Sequence, residues 1–164
     1  MLSIIILVAV ILLDQLSKYF VVQYLKPVGS VTVIENILDL TYVENTGAAF
    51  GSFSENRVVF MTASVVIIAV LGFVMFKFRG QNKLFDVCLA LIVGGGIGNM
   101  IDRIRLGYVV DFIDFCAFDF WKYIFNVADS AVVVGCILAI AYVLFDRRNK
   151  VLVQKSSGED DVNE

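Results

Sequence analysis

The sequence predicts a membrane all-α bundle of four transmembrane helices, with a small extracytoplasmic β-sheet and an interfacial amphipathic segment. Three observations predict it. Of 164 residues, 59% are hydrophobic and only 18% charged, the composition of a chain solvated largely by lipid. Four apolar runs approach the roughly 20 helical residues that cross a hydrocarbon core about 30 Å thick. Between the first two runs, a polar stretch alternates apolar and polar residues with the period of a strand.

The four spans are expected at about 2–22, 58–78, 84–101 and 127–145, all in a single transmembrane domain of residues 1–146. The third is the shortest and the richest in glycine. The first resembles a secretion signal in position, but no basic residue precedes it and no small-residue cleavage site follows "DQLSKYFVVQYL", so it reads as a retained helix. The second connection carries Lys77, Arg79 and Lys83, and the tail carries Arg147, Arg148, Lys150 and Lys155; the positive-inside rule places both in the cytoplasm. Both termini are therefore expected inside. The first and last connections, with Lys26 and Arg57 in one and Arg103, Arg105 and Lys122 in the other, are expected outside. Residues 147–164 end in "SSGEDDVNE", polar and acidic, and read as a disordered cytoplasmic tail.

In the first outer connection, Val31, Val33, Leu38, Leu40 and Tyr42 follow a period of two, and Glu35–Asn36 interrupts it as the turn of a hairpin. In the last, "CAFDFWKYIF" is aromatic and amphipathic and suits the headgroup region around Trp121.

Several function classes fall away on composition. A net charge of −3 leaves no basic face for nucleic acid. Histidine is absent, which removes Ser-His-Asp and Cys-His catalysis together with the commonest metal ligand. Cys88, Cys116 and Cys136 lack CxxC spacing, and neither a metal site nor a cofactor is expected.

Against this apolar background the polar residues stand out. Asp14 and Lys18 lie four apart on one face of the first helix, where they form an ion pair or something more. Asn99, Asp102 and Arg103 end the third span, Asp111 and Asp114 follow it, and Asn126 and Asp129 open the fourth. All share one depth, the outer interface, which makes a single polar pocket plausible on topology. Plainer readings stand beside this one. Asp129 followed by Ser130 is a good helix cap, and Gly94 and Gly98 have the spacing of close helix packing rather than that of a phosphate loop.

Two carboxylates at close quarters share a proton, so one accepts a proton from water while the other donates to a carbonyl. Asp111 and Asp129 suit that chemistry, with Asn45, Asn99, Arg103 and Asn126 as nearby donors. Spacing alone leaves the choice open, because five acids occur from Asp102 to Asp129.

Five blocks, "DQLSK", "ENTGAAFG", "GGGIGNMIDRI", "GYVVDFIDF" and "FNVADSAVVVG", resemble in order and spacing those of the bacterial lipoprotein signal peptidases, type II. The resemblance implies an intramembrane aspartyl endopeptidase that removes the signal peptide of prolipoproteins just before a diacylglyceryl cysteine. It implies that Asp111 and Asp129 are the catalytic dyad and that Asn45, Asn99, Arg103, Asn126, Asp14 and Lys18 bind substrate or support the site. It further implies a multi-pass protein of the bacterial cytoplasmic membrane with its site on the extracytoplasmic side, membrane lipid as a partner, and cyclic peptide antibiotics as inhibitors. Two other classes fit the residues less well. A proton-coupled transporter also buries acids, but its sites lie near the midplane of internal repeats, and no repeat is visible; a structural subunit does not need acids and amides gathered at one depth.

Overall fold

A computed structural model of the chain describes residues 1–47, 57–117 and 123–145. Four long helices carry the fold: α1 (Leu2–Phe20), α2 (Arg57–Lys77), α3 (Lys83–Arg105) and α4 (Val127–Phe145). Among the described residues, Leu2–Leu25, Lys83–Arg105 and Val127–Leu144 are each long and apolar enough to cross a membrane, and Met61–Lys77 is a shorter apolar stretch. Their outer faces present bare apolar side chains, such as Leu12, Leu13 and Leu16 on α1 and Ile137 and Ile140 on α4. Such faces are favourable only against lipid or another apolar surface.

Helix α3 is the hub, packing against α1, α2 and α4. Its glycines explain the close approach. A Cβ on Gly95 would run into the backbone carbonyl oxygen of Ala128 and sit 2.8 Å from Val132 Cγ2, both on α4. One on Gly98 would lie 2.6 Å from the Asp14 carboxylate on α1. The packing role expected for this glycine run is what the structure shows. Helix α3 starts at an Asn82 cap, whose side chain accepts the Leu84 and Phe85 N–H groups at 2.9 and 3.2 Å. It runs beyond the expected end at Ile101 to Arg105, so that Asp102 and Arg103 sit on helix.

At one end of the bundle lies an antiparallel sheet in the order β1-β2-β3-β4, with β1 Ser30–Ile34, β2 Leu38–Asn45, β3 Val109–Phe115 and β4 Ile124–Phe125. The β1–β2 turn falls at Glu35–Asn36, where Asn36 adopts φ 58°, a left-handed conformation that asparagine tolerates. Strand β3 was not anticipated: its first four residues are all buried, so it lacks the alternation that marks a half-exposed strand. Val110 and Phe112 pack with Val21 and Leu25 of a single π-helical turn, Val21–Leu25, that closes α1. This contact sets the sheet against the bundle. Residues 118–122, the centre of the expected interfacial segment, and the tail 147–164 lie outside the described residues.

Candidate active site

Asp111 enters from β3, where it stands opposite Val43 of β2, and Asn45 near the end of β2 stands opposite Val109. That register brings the Asn45 side chain to the acid, and Asn45 Nδ2 donates to Asp111 Oδ2 at 2.8 Å. Asp129 enters from the first turn of α4. The cap of that helix is Asn126 rather than Asp129, because Asn126 Oδ1 accepts the Asp129 N–H at 2.8 Å. The capping reading of the Asp129 side chain therefore fails, and its carboxylate turns to α3, where Asn99 Nδ2 donates to Asp129 Oδ1 at 2.7 Å.

With its carbonyl committed to the cap, Asn126 presents its amide nitrogen to Asp111 Oδ1 at 2.6 Å and to Asn99 Oδ1 at 3.0 Å. Two asparagines thus bridge the two acids. Beneath them, Lys18 Nζ donates to Asn99 Oδ1, Asp14 Oδ2 and Asp102 Oδ2, each at 2.9 Å. An ammonium has three N–H donors, and Lys18, 3% exposed, has an acceptor for each. Asp14 Oδ1 accepts the Ala128 N–H of α4 at 2.9 Å, which places a carboxylate at the positive end of that helix. Asp102 Oδ2 also accepts the Val110 N–H at 3.1 Å and so pins the strand next to Asp111. The residues expected to form the dyad or support it, Asp14, Lys18, Asn45, Asn99, Arg103, Asp111, Asn126 and Asp129, all lie in or beside this cluster.

A cavity of about 750 Å³ opens over it, walled by apolar side chains of α2, α3 and α4, among them Ile67, Leu71, Ile92 and Val132. Asp111 and Asp129 are the acids that line it among the described residues, together with Asn45, Asn99 and Arg103. Arg103 is the cation of the wall and reaches back to the Asn99 carbonyl through Nη1 at 3.4 Å. Asp114 stands elsewhere, opposite Asp39 across β2–β3 and off the cavity wall. Burial pushes the Asp111 carboxyl up to about 6; the amides of Asn45 and Asn126 oppose the rise and the charge of Asp129 adds to it. A carboxyl that keeps its proton up to about pH 6, beside a second acid, is equipped to share one proton across the pair.

Residues 6–145 match the family model described as signal peptidase (SPase) II. The chain belongs to the signal peptidase II family. It is 48% identical over 143 residues to the lipoprotein signal peptidase of Caldanaerobacter subterraneus subsp. tengcongensis, covering 87% of this chain and 96% of that relative. It is 43% identical over 145 residues to the lipoprotein signal peptidase of Clostridioides difficile, covering 88% and 96%. A solved structure of a bacterial membrane enzyme superimposes with a TM-score of 0.77 at 37% identity, over 88% of this chain and 93% of the other. With its apolar helices, this member of the family is a multi-pass membrane protein.

Two participants escaped the sequence reading. Asp102 is one acid among several in its stretch with no local sign of its role, and Gln15 is a neutral amide beside a more conspicuous acid. Its Nε2 lies 3.0 Å from Asp102 Oδ1, 3.1 Å from the Gly98 carbonyl oxygen and 3.2 Å from Asp14 Oδ2, so its two N–H groups are shared among three acceptors.

Proposed function

We propose that this chain is an intramembrane aspartyl endopeptidase that cleaves the signal peptide from diacylglyceryl-modified prolipoproteins, just before the lipidated cysteine, with Asp111 and Asp129 as its dyad. The observation that carries the reading is that these two carboxylates, bridged by Asn126 and Asn99, face one apolar-walled cavity. Apolar walls suit a signal helix, and a pair of acids at their end suits hydrolysis of the bond that follows it.

One membrane domain spans residues 1–146 in four passes, with both termini and the tail 147–164 in the cytoplasm and the sheet at the outer face of the cytoplasmic membrane. The substrate's signal helix enters laterally while its acyl chains stay in lipid and fix the depth of the scissile bond. A water between the acids gives a proton to the ionised carboxylate as its oxygen attacks the carbonyl carbon. The protonated acid donates to the carbonyl oxygen, and Arg103, Asn45 and Asn99 supply further donors to the developing charge. The tetrahedral intermediate then collapses, the C–N bond breaks and the leaving amine takes a proton from the pair. Cyclic peptide antibiotics that fill the cavity inhibit by covering both acids.

The test is cleavage of a diacylglyceryl prolipoprotein in detergent by the purified chain and by Asp111→Asn, Asp114→Asn and Asp129→Asn, each checked for folding. Loss of cleavage in the first and third with survival in the second is expected. Normal turnover by Asp111→Asn or Asp129→Asn would overturn the assignment.

A further inference from the structure

We infer that Gln15 is a positioning residue for the dyad, acting at a distance through Asp102, Lys18 and Asn99 on Asp129; the inference rests on the function proposed above. Gln15 sits half-buried on α1, and its amide nitrogen lies between two carboxylates of different helices, Asp14 Oδ2 at 3.2 Å and Asp102 Oδ1 at 3.0 Å, with the Gly98 carbonyl at 3.1 Å.

The acceptor inventory shows why this amide matters. Asp102 is 3% exposed, so each of its oxygens needs a donor from the protein. Oδ2 has two, Lys18 Nζ at 2.9 Å and the Val110 N–H at 3.1 Å, whereas the donor to Oδ1 is Gln15. Without Gln15, that oxygen is left without its donor in a low-dielectric site, and the Lys18 ammonium, 2.9 Å from Oδ2 of the same carboxylate, is a mobile donor able to serve it.

Lys18 has no donor to spare. Its three N–H bonds are divided among Asp14, Asp102 and Asn99. A shift of the ammonium toward Asp102 Oδ1 is made at the expense of Asn99, the one uncharged acceptor of the three. Asn99 Oδ1 accepts from Lys18 Nζ at 2.9 Å and from Asn126 Nδ2 at 3.0 Å, and the sense those two bonds fix is what aims Nδ2 at Asp129 Oδ1, 2.7 Å away. Releasing Lys18 removes the charge-assisted one of the two bonds on that oxygen, leaves Asn126 alone to hold the amide, and so loosens the donor beside a reacting carboxylate. Gln15 thus keeps the ammonium centred without adding charge to a cluster that already holds Asp14, Asp102, Asp111 and Asp129 against Lys18 and Arg103.

Two variants test it on diacylglyceryl prolipoprotein across pH 5 to 8, beside the wild type and Asp111→Asn. Gln15→Leu keeps volume and removes the donor; kcat is expected about tenfold lower at every pH, the loss of one charge-assisted hydrogen bond, with KM within about twofold because Gln15 is off the cavity wall. Gln15→Glu, read as a ratio to the wild type at each pH, is expected to fall at least a hundredfold below it at pH 8, where it adds a fifth carboxylate, and to approach it as pH falls, because its protonated form again donates to Asp102. A purely structural role would lower both variants alike at all pH values with a matching fall in melting temperature, and that result would overturn the inference, as would wild-type kcat in Gln15→Leu. If the wild type itself fails to cleave, the functional reading falls instead, which separates the two.

Discussion

Asn126 donates to Asp111 Oδ1 at 2.6 Å from the same side chain whose oxygen caps the helix carrying Asp129 at 2.8 Å. One amide therefore sets the aim of both acids, by nitrogen for one and by oxygen for the other. Asn126→Asp keeps the cap acceptor and replaces the donor with a charge facing Asp111, so it is expected to fold and to lose at least a hundredfold in cleavage. Asn126→Ala loses both functions and is expected to be destabilised by about 1–2 kcal/mol from the missing cap alone. Thermal unfolding in detergent beside the cleavage assay separates the variants.

The Asp111 carboxyl gives the site a pH signature. Its folded pKa, about 6, lies above the ordinary value of 3.8, so between those limits the folded chain holds a proton that the unfolded chain has released. Stability is then expected to fall as pH rises from about 4 through about 6, by up to about 3 kcal/mol at about 1.4 kcal/mol for each unit. Asp111→Asn removes the burial cost of the charge and should flatten that dependence while abolishing activity. Melting temperatures from pH 4 to 8 for both proteins check it; a wild type whose stability rises over that window contradicts it.

Activity follows the same proton. A pair that works with one acid protonated and one ionised should lose turnover as pH rises past about 6, when the second proton leaves. A kcat profile flat from pH 5 to 8 would show that this group does not titrate in the working range.

Lys18 is expected to be the costliest side chain to remove. Lys18→Met leaves Asp14, 0% exposed, and Asp102, 3% exposed, facing each other without their cation, for which about 3–5 kcal/mol is the usual penalty. The melting temperature should drop further than for any dyad substitution. The double change Lys18→Met with Asp102→Asn should recover part of it.

Helix packing carries its own test. Gly95→Ala forces a methyl group against Ala128 and Val132 and pushes α4, and Asp129 with it, off α3, at about 1–3 kcal/mol and with loss of cleavage. At Gly72 a Cβ meets nothing within 4 Å, so Gly72→Ala is expected to be neutral or to stabilise by up to about 1 kcal/mol.

Much of this was legible in the chain because local chemistry wrote it. Hydropathy marks the apolar runs, the Glu35–Asn36 turn breaks a period-two pattern, and charges within apolar runs mark polar sites. What stayed hidden depends on partners far along the chain. Strand β3 is recognised by its pairing with β2, since burial of its first four residues erased the alternation. Asp129 looked like a cap because Asp suits that position, and only the fold shows Asn126 there instead. Gln15 and Asp102 acquire meaning from each other across 87 residues.

Asp14 and Lys18, by contrast, find each other within one turn of one helix, at 2.9 Å. Apart from the adjacent Gln15, the partners of their side chains, Asn99, Asp102 and Ala128, belong to segments synthesised much later. The first segment thus brings its own counterion, and its two charges can wait in the bilayer as a neutral couple until the third and fourth segments arrive. A chain that moved Lys18 out of this one-turn spacing would keep every group of the finished site and still lack a safe route for delivering the first of them.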